Sequence, residues 1–176
     1  MGKNNKIKAR QSSLNMKLRP VKQLPISTGG AAKRDLRTQF AALCYRVLND
    51  NVQVLMITSR GTKRWIVPKG WPMDGLTPAQ AVAQEAWEEA GVRGRTYDQC
   101  LGVYSYGKTI EDNDTLNCVA LVYPIKVKTL AKSYPEAKER RRKWMNPAKA
   151  AEKVDEPELA QILRGFDPRV LKPVRT

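Results

Sequence analysis

Three glutamates, Glu85, Glu88 and Glu89, lie close together in the stretch GWPMDGLTPAQAVAQEAWEEAGV, residues 70–92. The stretch reads as one helix closed at both ends. Thr77 is a good N-cap, Pro78 suits the first helical position, and Gln80 completes a Thr-x-x-Gln capping box. Gly91 is placed to end the helix in a left-handed conformation. At about 100° per residue, Ala79, Val82, Ala83, Ala86 and Ala90 share an apolar arc, and the three glutamates share an adjacent one. On an exposed helix such like charges cost only about 0.2–0.5 kcal/mol per pair, so an acidic solvent face is one reading. Packed against a sheet, charges about 5.5 Å apart repel by roughly 3 kcal/mol at an effective dielectric near 20. A divalent cation would relieve that repulsion.

The chain has 176 residues and no histidine. Ser-His-Asp and Cys-His nucleophile pairs, HExxH metalloproteases and His-rich zinc sites are therefore excluded. Acid-base or metal chemistry must run on carboxylates, lysines, tyrosines or metal-bound water. Cys44, Cys100 and Cys118 are an odd count without CxxC spacing. Each falls in a stretch that reads as strand, and reduced structural thiols in a cytosol are the expectation.

The elements that must position the glutamates follow from the remaining pattern. Phe40 to Leu48 and Val52 to Ser59 are β-prone runs around Asn49-Asp50-Asn51, which reads as a hairpin. Arg64 to Val67, Leu101 to Lys108, Leu116 to Val127 and Lys143 to Met145 read as further strands, with Asn146-Pro147 as a cap and first helical position. A last helix is expected over Pro157 to Leu163, ending at Gly165. Strands and helices are interspersed without strict βαβ alternation, which predicts an α/β fold with a mixed sheet and helices packed on it.

The formal charge is +15, from 32 Lys plus Arg against 17 Asp plus Glu. Residues 1–38 carry ten basic side chains and one acid, +9, and the other 138 carry +6. Residues 1–36 thus read as a basic N-terminal arm, with few large apolar residues, and 37–176 as the globular domain. The arm could bind phosphate polymers or anionic surfaces, serve only as a solubilising tail, or be a basic, acid-poor transit peptide. No apolar run approaches the roughly 18 residues of a membrane span, and a secretory signal core is missing, so a cytoplasmic location is expected.

The helix and its flanks resemble the Nudix box: G, five residues, E, seven residues, R-E-apolar-x-E-E-x-G-apolar. Gly70, Glu85, Ala86, Glu88, Glu89, Gly91 and Val92 fall in register; Leu76 stands where the pattern has Glu, and Gln84 where it has Arg. The flanks Arg64 to Gly70 and Cys100 to Tyr106 also look like the family, over about residues 37–165. The resemblance implies an α/β/α sandwich around a central mixed sheet, and hydrolysis of a phosphoanhydride with Mg²⁺ or Mn²⁺. It implies Gly70, Glu85 and Glu89 as metal ligands and Glu88 as a ligand or the base for the attacking water. A further acid in the loop Glu111-Asp112-Asn113-Asp114 is an alternative base, or that loop is a solvated turn. In the family the two departing positions brace the loop against the helix, so a lost ion pair is the expected consequence.

Outside the box, Arg140-Arg141-Arg142-Lys143 runs into Trp144, and strand alternation allows two of the four to face the cleft. This stretch looks like its counterpart in diphosphoinositol polyphosphate phosphohydrolases, which also cleave long diadenosine polyphosphates. The resemblance implies Arg37, Arg60 and Arg141 as substrate-binding residues and a highly phosphorylated small molecule as substrate; Pro68-Lys69-Gly70 equally resembles the asymmetric diadenosine tetraphosphate hydrolase branch, which implies Lys69 as a phosphate contact. Trp65, Trp71 and Tyr104 are candidates to stack on a base, although Trp65, on a short strand, reads better as a core residue. An RNA 5′-pyrophosphohydrolase using the basic arm, and a non-catalytic nucleotide- or nucleic-acid-binding protein of the same fold, are the competing readings. Oligomeric state is not legible.

Overall fold

The computed structural model describes residues 36–109 and 115–172, together with Pro25. The basic arm, apart from Pro25 and Leu36, and the candidate acids of residues 111–114 lie outside the described residues.

The chain opens with β1 (Arg37–Leu48), which turns into β2 (Asn51–Thr58) with Leu48 opposite Asn51. Only Asn49 and Asp50 form the turn, with φ of 48° and 59°. Two positive φ values match a two-residue turn whose twist suits the paired strands, and Asn and Asp tolerate them better than most residues. Two short strands follow, β3 (Trp65–Ile66) on β2 and β4 (Lys69–Gly70) on β1. Helix α1 (Pro78–Ala90) leads to β5 (Val92–Thr96), β6 (Gly102–Thr109) and the long β7 (Thr115–Leu130). Then come β8 (Arg142–Met145) on β2, α2 (Pro147–Ala151), α3 (Pro157–Arg164) and a 3-10 turn at Pro168–Val170.

One sheet results, with the spine β3-β2-β1-β7-β5. β1 and β7 run parallel and the other pairs are antiparallel, so the sheet is mixed as the interspersed pattern predicted. β7 shares its second edge between β6, up to Val122, and β5, from Ile125. Pro124 falls in the gap between those partners, where a missing N–H costs least.

Both faces of the sheet are covered. On one, Val82, Ala86 and Ala90 of α1 bury against Cys44, Leu55 and Ile57. On the other, Leu159, Ile162 and Leu163 of α3 bury against Leu43, Met56 and Val122. At about 1.5–3 kcal/mol per buried large aliphatic side chain, each layer contributes enough to fix its helix on the sheet. The α/β/α arrangement is thereby explained by two apolar strand faces with no polar side to leave exposed.

Two details differ from the sequence reading. Cys100 is exposed and precedes β6, because the strand begins at Gly102; Cys44 and Cys118 are buried on strands, and all three thiols are free. Tyr104, considered as a base-stacking residue, is 2% exposed and belongs to the core under α3.

Candidate active site

Both ends of helix α1 are set by local sequence. Thr77 Oγ1 accepts from Gln80 N–H at 3.3 Å and Gln80 Oε1 accepts from Thr77 N–H at 2.9 Å, completing the capping box. Gly91 closes the other end at φ 64°, donating its N–H to Trp87 O at 2.9 Å. Ala86 and Ala90 are packed on the sheet, which turns the glutamate arc along the sheet toward β4 rather than fully into solvent.

β4 carries the opposing wall. Lys69 and Gly70 are paired to Ala41 and Phe40 of β1, and Ala42 N–H donates to Pro68 O at 2.8 Å. Against this anchored backbone, Lys69 N–H donates to Glu89 Oε2 at 3.1 Å. The Glu85 carboxyl packs on Gly70 in the space a Cβ would fill. Gly70, Glu85 and Glu89 are thus brought together. Glu88, half-buried, accepts from the Gln84 amide one turn back.

Electrostatics single out the same acids. Burial first, then the neighbouring charges of Glu89, Glu88 and Glu136, raises Glu85 from 4.5 to about 7. Burial also pushes Glu89 upward, against the opposing pull of Arg140 and Lys69. Burial holds Lys69 below the ordinary lysine range. Carboxylates that repel one another while half-buried are suited to a divalent cation. Among the described residues no three acids converge closely enough to enclose an ion unaided. That fits Mg²⁺, which is usually held by one or two carboxylates and keeps waters and substrate phosphates as its remaining ligands. Glu85, Glu89 and the Gly70 carbonyl are the hard oxygens that could be offered to such an ion.

The cleft beside these acids has a volume of about 290 Å³. Arg60, Arg64, Lys69, Lys108 and Arg140 line it, with Glu89 in the same wall. Lys69 Nζ lies 4.9 Å from the Tyr106 ring and Lys108 Nζ 4.7 Å from the half-exposed Trp71 ring. A larger groove, about 520 Å³, separates α1 from β5 and has no acid in its lining. The smaller cleft has Glu89 in its lining.

Of the residues expected to contact substrate, Arg60 and Lys69 line the cleft. Arg37 is exposed and shares its face of β1 with the cleft residue Gln39, one pleat farther along. Arg141 does not line the cleft: its backbone pairs with Thr58 and its side chain is exposed. Its neighbour Arg140 turns inward instead, and Arg142 turns to the end of α1, donating to Ala90 O at 2.7 Å and Ala131 O at 2.9 Å. β8 begins only at Arg142, so strand alternation does not govern Arg140, and one guanidinium of the run, not two, lines the cleft.

A family-wide sequence model described as the NUDIX domain matches residues 37–166. The chain belongs to the Nudix family.

The Nudix relatives include Nudix hydrolase 12, mitochondrial, of Arabidopsis thaliana, 33% identical over 106 residues. That match covers 58% of this chain and 52% of the plant protein. Human diphosphoinositol polyphosphate phosphohydrolase 3-beta is 32% identical over 106 residues, covering 59% of this chain and 60% of the human one. The chain therefore spans a little over half the length of these curated relatives. Among solved structures, the C. elegans Ap4A hydrolase superposes with a TM-score of 0.53 at 19% identity, over 74% of this chain and 96% of that one. This likeness concerns the fold alone.

Within the Nudix box, the two departures both line the groove between α1 and β5: Leu76, 42% exposed, and Gln84. Both are uncharged. Three acids outside the box escaped the sequence reading: Glu136 and Glu139, which face Arg60 at 3.7 and 3.8 Å, and Glu156, which holds Arg64 at 2.7 Å. Glu136 and Glu139 sit in a run of mixed charge that reads as solvated, and only the fold shows where their side chains go.

Proposed function

We propose that the chain is a divalent-metal-dependent pyrophosphohydrolase whose substrate is a small molecule bearing several phosphates, a diphosphoinositol polyphosphate or a diadenosine polyphosphate. The observation that carries this reading is that Glu89 lines one cleft with a wall of cations (Arg60, Arg64, Lys69, Lys108), while Glu85 packs on Gly70 next to Lys69. The similarity to a human diphosphoinositol polyphosphate phosphohydrolase supports the substrate class.

In this reading Glu85, Glu89 and the Gly70 carbonyl hold Mg²⁺ or Mn²⁺. The ion supplies charge neutralisation at the anhydride and a more acidic bound water. Glu88, half-buried on α1 and free of a cationic partner among the described residues, accepts the proton of the attacking water. Arg60, Lys69 and, from the rim, Arg37 orient the phosphates; charge-assisted contacts of this kind contribute about 1.5–3 kcal/mol each. Arg141, exposed and outside the cleft, has no phosphate contact in this reading. In this reading residues 37–176 are the catalytic domain and residues 1–36 its basic arm.

The test is phosphate release with Mg²⁺ or Mn²⁺ across inositol pyrophosphates, diadenosine polyphosphates, nucleotide sugars and 5′-triphosphorylated RNA, with Glu89→Gln as control. Turnover of the first two, abolished in the control, is the expected result. Turnover of RNA alone, lost when residues 1–36 are deleted, would replace this reading with the RNA one. No metal-dependent turnover of any substrate would leave a binding protein of Nudix fold. Among the described residues no helix is long and apolar enough to cross a membrane. We place the reaction in the cytoplasm, and imaging a fusion at the C-terminal end tests this against the mitochondrial compartment named for the plant relative.

A further inference from the structure

The Arg140 side chain is 5% exposed and bonds at once to α1, to the end of β2 and to a glutamate of its own segment. Nη2 donates to Glu89 Oε1 at 2.5 Å, Nε to Glu136 Oε2 at 2.5 Å, and Nη1 to Thr58 O at 3.0 Å. The planar guanidinium thereby ties α1 to the end of β2 and to the segment before β8. That segment is separately docked on α1, since Glu136 N–H donates to Glu88 O at 3.0 Å. Glu89 is held on both oxygens, by Arg140 on Oε1 and by the Lys69 N–H on Oε2. A carboxylate fixed by two donors on separate anchored elements has lost its rotational freedom while each oxygen keeps a lone pair.

Within the box, the residue at the position of the pattern's arginine does none of this. Gln84 bonds Glu88 and has no bond to Glu89. The cation on Glu89 comes instead from a residue 51 positions away in the chain. From this geometry we infer that Arg140 is a positioning residue: it sets the orientation of Glu89 so that the carboxylate presents its free lone pairs to the metal. The inference rests on the metal-binding reading above, and it predicts the sign of an effect that simple charge does not.

Charge and orientation act in opposite directions here. A guanidinium beside the acids repels a second cation, so on Coulombic grounds removing it tightens metal binding. If Arg140 orients Glu89, removing it weakens binding, as loss of a residue that fixes a ligand typically costs about 10- to 100-fold in metal affinity or activity. Arg140→Lys separates the two cleanly. It keeps the positive charge and most of the stem, and loses the fork that reaches Glu89, Glu136 and Thr58 O together.

The experiment is titration of the full chain with Mn²⁺ alone, followed by electron paramagnetic resonance, in wild type, Arg140→Lys and Arg140→Gln, with folding checked by circular dichroism. Expected for both variants is an unchanged number of Mn²⁺ sites per folded chain and a Kd weakened by about tenfold or more. In the assay of the preceding section kcat falls with KM little changed, because the phosphate-binding cations are untouched. Wild-type affinity in Arg140→Lys, or tighter binding in Arg140→Gln, overturns the inference and makes Arg140 a mere counter-charge. Failure of the wild type itself to bind Mn²⁺, with Arg140 intact, overturns the metal-binding reading and the inference with it.

Discussion

The carboxyl of Glu85 occupies the space that a Cβ on Gly70 would need. The side chain and the glycine belong to different elements, α1 and β4, so this contact sets how closely the acid-bearing helix approaches the anchored backbone opposite.

Gly70→Ala therefore moves an acid without breaking the fold. The backbone at position 70 is extended within β4, which alanine adopts freely, and the clashing atoms are the far end of a flexible side chain. Stability is expected to change by less than about 1 kcal/mol. A misplacement of about 1 Å in such a site costs on the order of 100-fold in rate. Thermal melts alongside kcat check the pair of expectations; a large fall in Tm would show that the glycine is needed for folding instead.

Without metal, stability should depend on pH through Glu85. Its folded pKa, about 7, lies above its ordinary value of 4.5, because of burial and then the repulsion of Glu89, Glu88 and Glu136. Folding thus favours the protonated form. That contribution is complete below the ordinary value and is lost as pH rises through about 7. Mg²⁺ needs the deprotonated form, so its stabilising increment grows over the same range. Melts of the metal-free protein from about pH 5 to 8 should decline in wild type and decline less in Glu85→Gln. Equal slopes in the two proteins would remove Glu85 as the cause.

Gly91→Ala is expected to destabilise the domain. At φ 64° a side chain is strained, and the new Cβ would lie 2.6 Å from the Tyr134 ring. The conformational penalty alone is about 1–2 kcal/mol. With the contact added, a fall in Tm of about 4–8 °C is expected by calorimetry, given 2–4 °C per kcal/mol in a domain of this size.

The β1–β2 turn should respond in the opposite direction. Asp50 sits at φ 59°, a conformation glycine adopts without strain, and Asn-Gly is the favoured pair for this turn. Asp50→Gly is expected to add about 0.5 kcal/mol of stability and to raise Tm by about 1–2 °C. The turn is at the end of β1 remote from Gln39 and the cleft, so kcat should be unchanged.

Elements whose cause is local were legible in the sequence. Both ends of α1 were, because its caps involve residues within four positions of one another, and so were the β1–β2 hairpin and the Asn146 cap of α2, whose Oδ1 accepts from Lys149 N–H at 2.7 Å. β5 was not: VRGRT lacks the apolar alternation of a strand and becomes one by pairing with β7. β4, two residues long, exists only through its ladder with β1. The site divides the same way. Box spacing placed Gly70, Glu85 and Glu89 in one region, whereas the choice of Arg140 over Arg141 depends on how the chain enters β8. Glu136 and Glu156 gain their meaning from arginines far away in the sequence, which no local pattern encodes.

The parallel pairing of β1 with β7 has a consequence for how the protein is made. Arg37 lies opposite Cys118 and Tyr45 opposite Lys126, partners about 80 residues apart, and such non-local pairing slows folding. During synthesis β1 and β2 form their hairpin early and must then wait for β7 to emerge, with Leu43 and Cys44 still uncovered on opposite faces. At about 5–20 residues per second that interval lasts several seconds, long enough for an unpaired strand edge to meet another nascent chain. The central pair that braces the finished cleft is thus also the step at which a newly made chain most needs protection from aggregation.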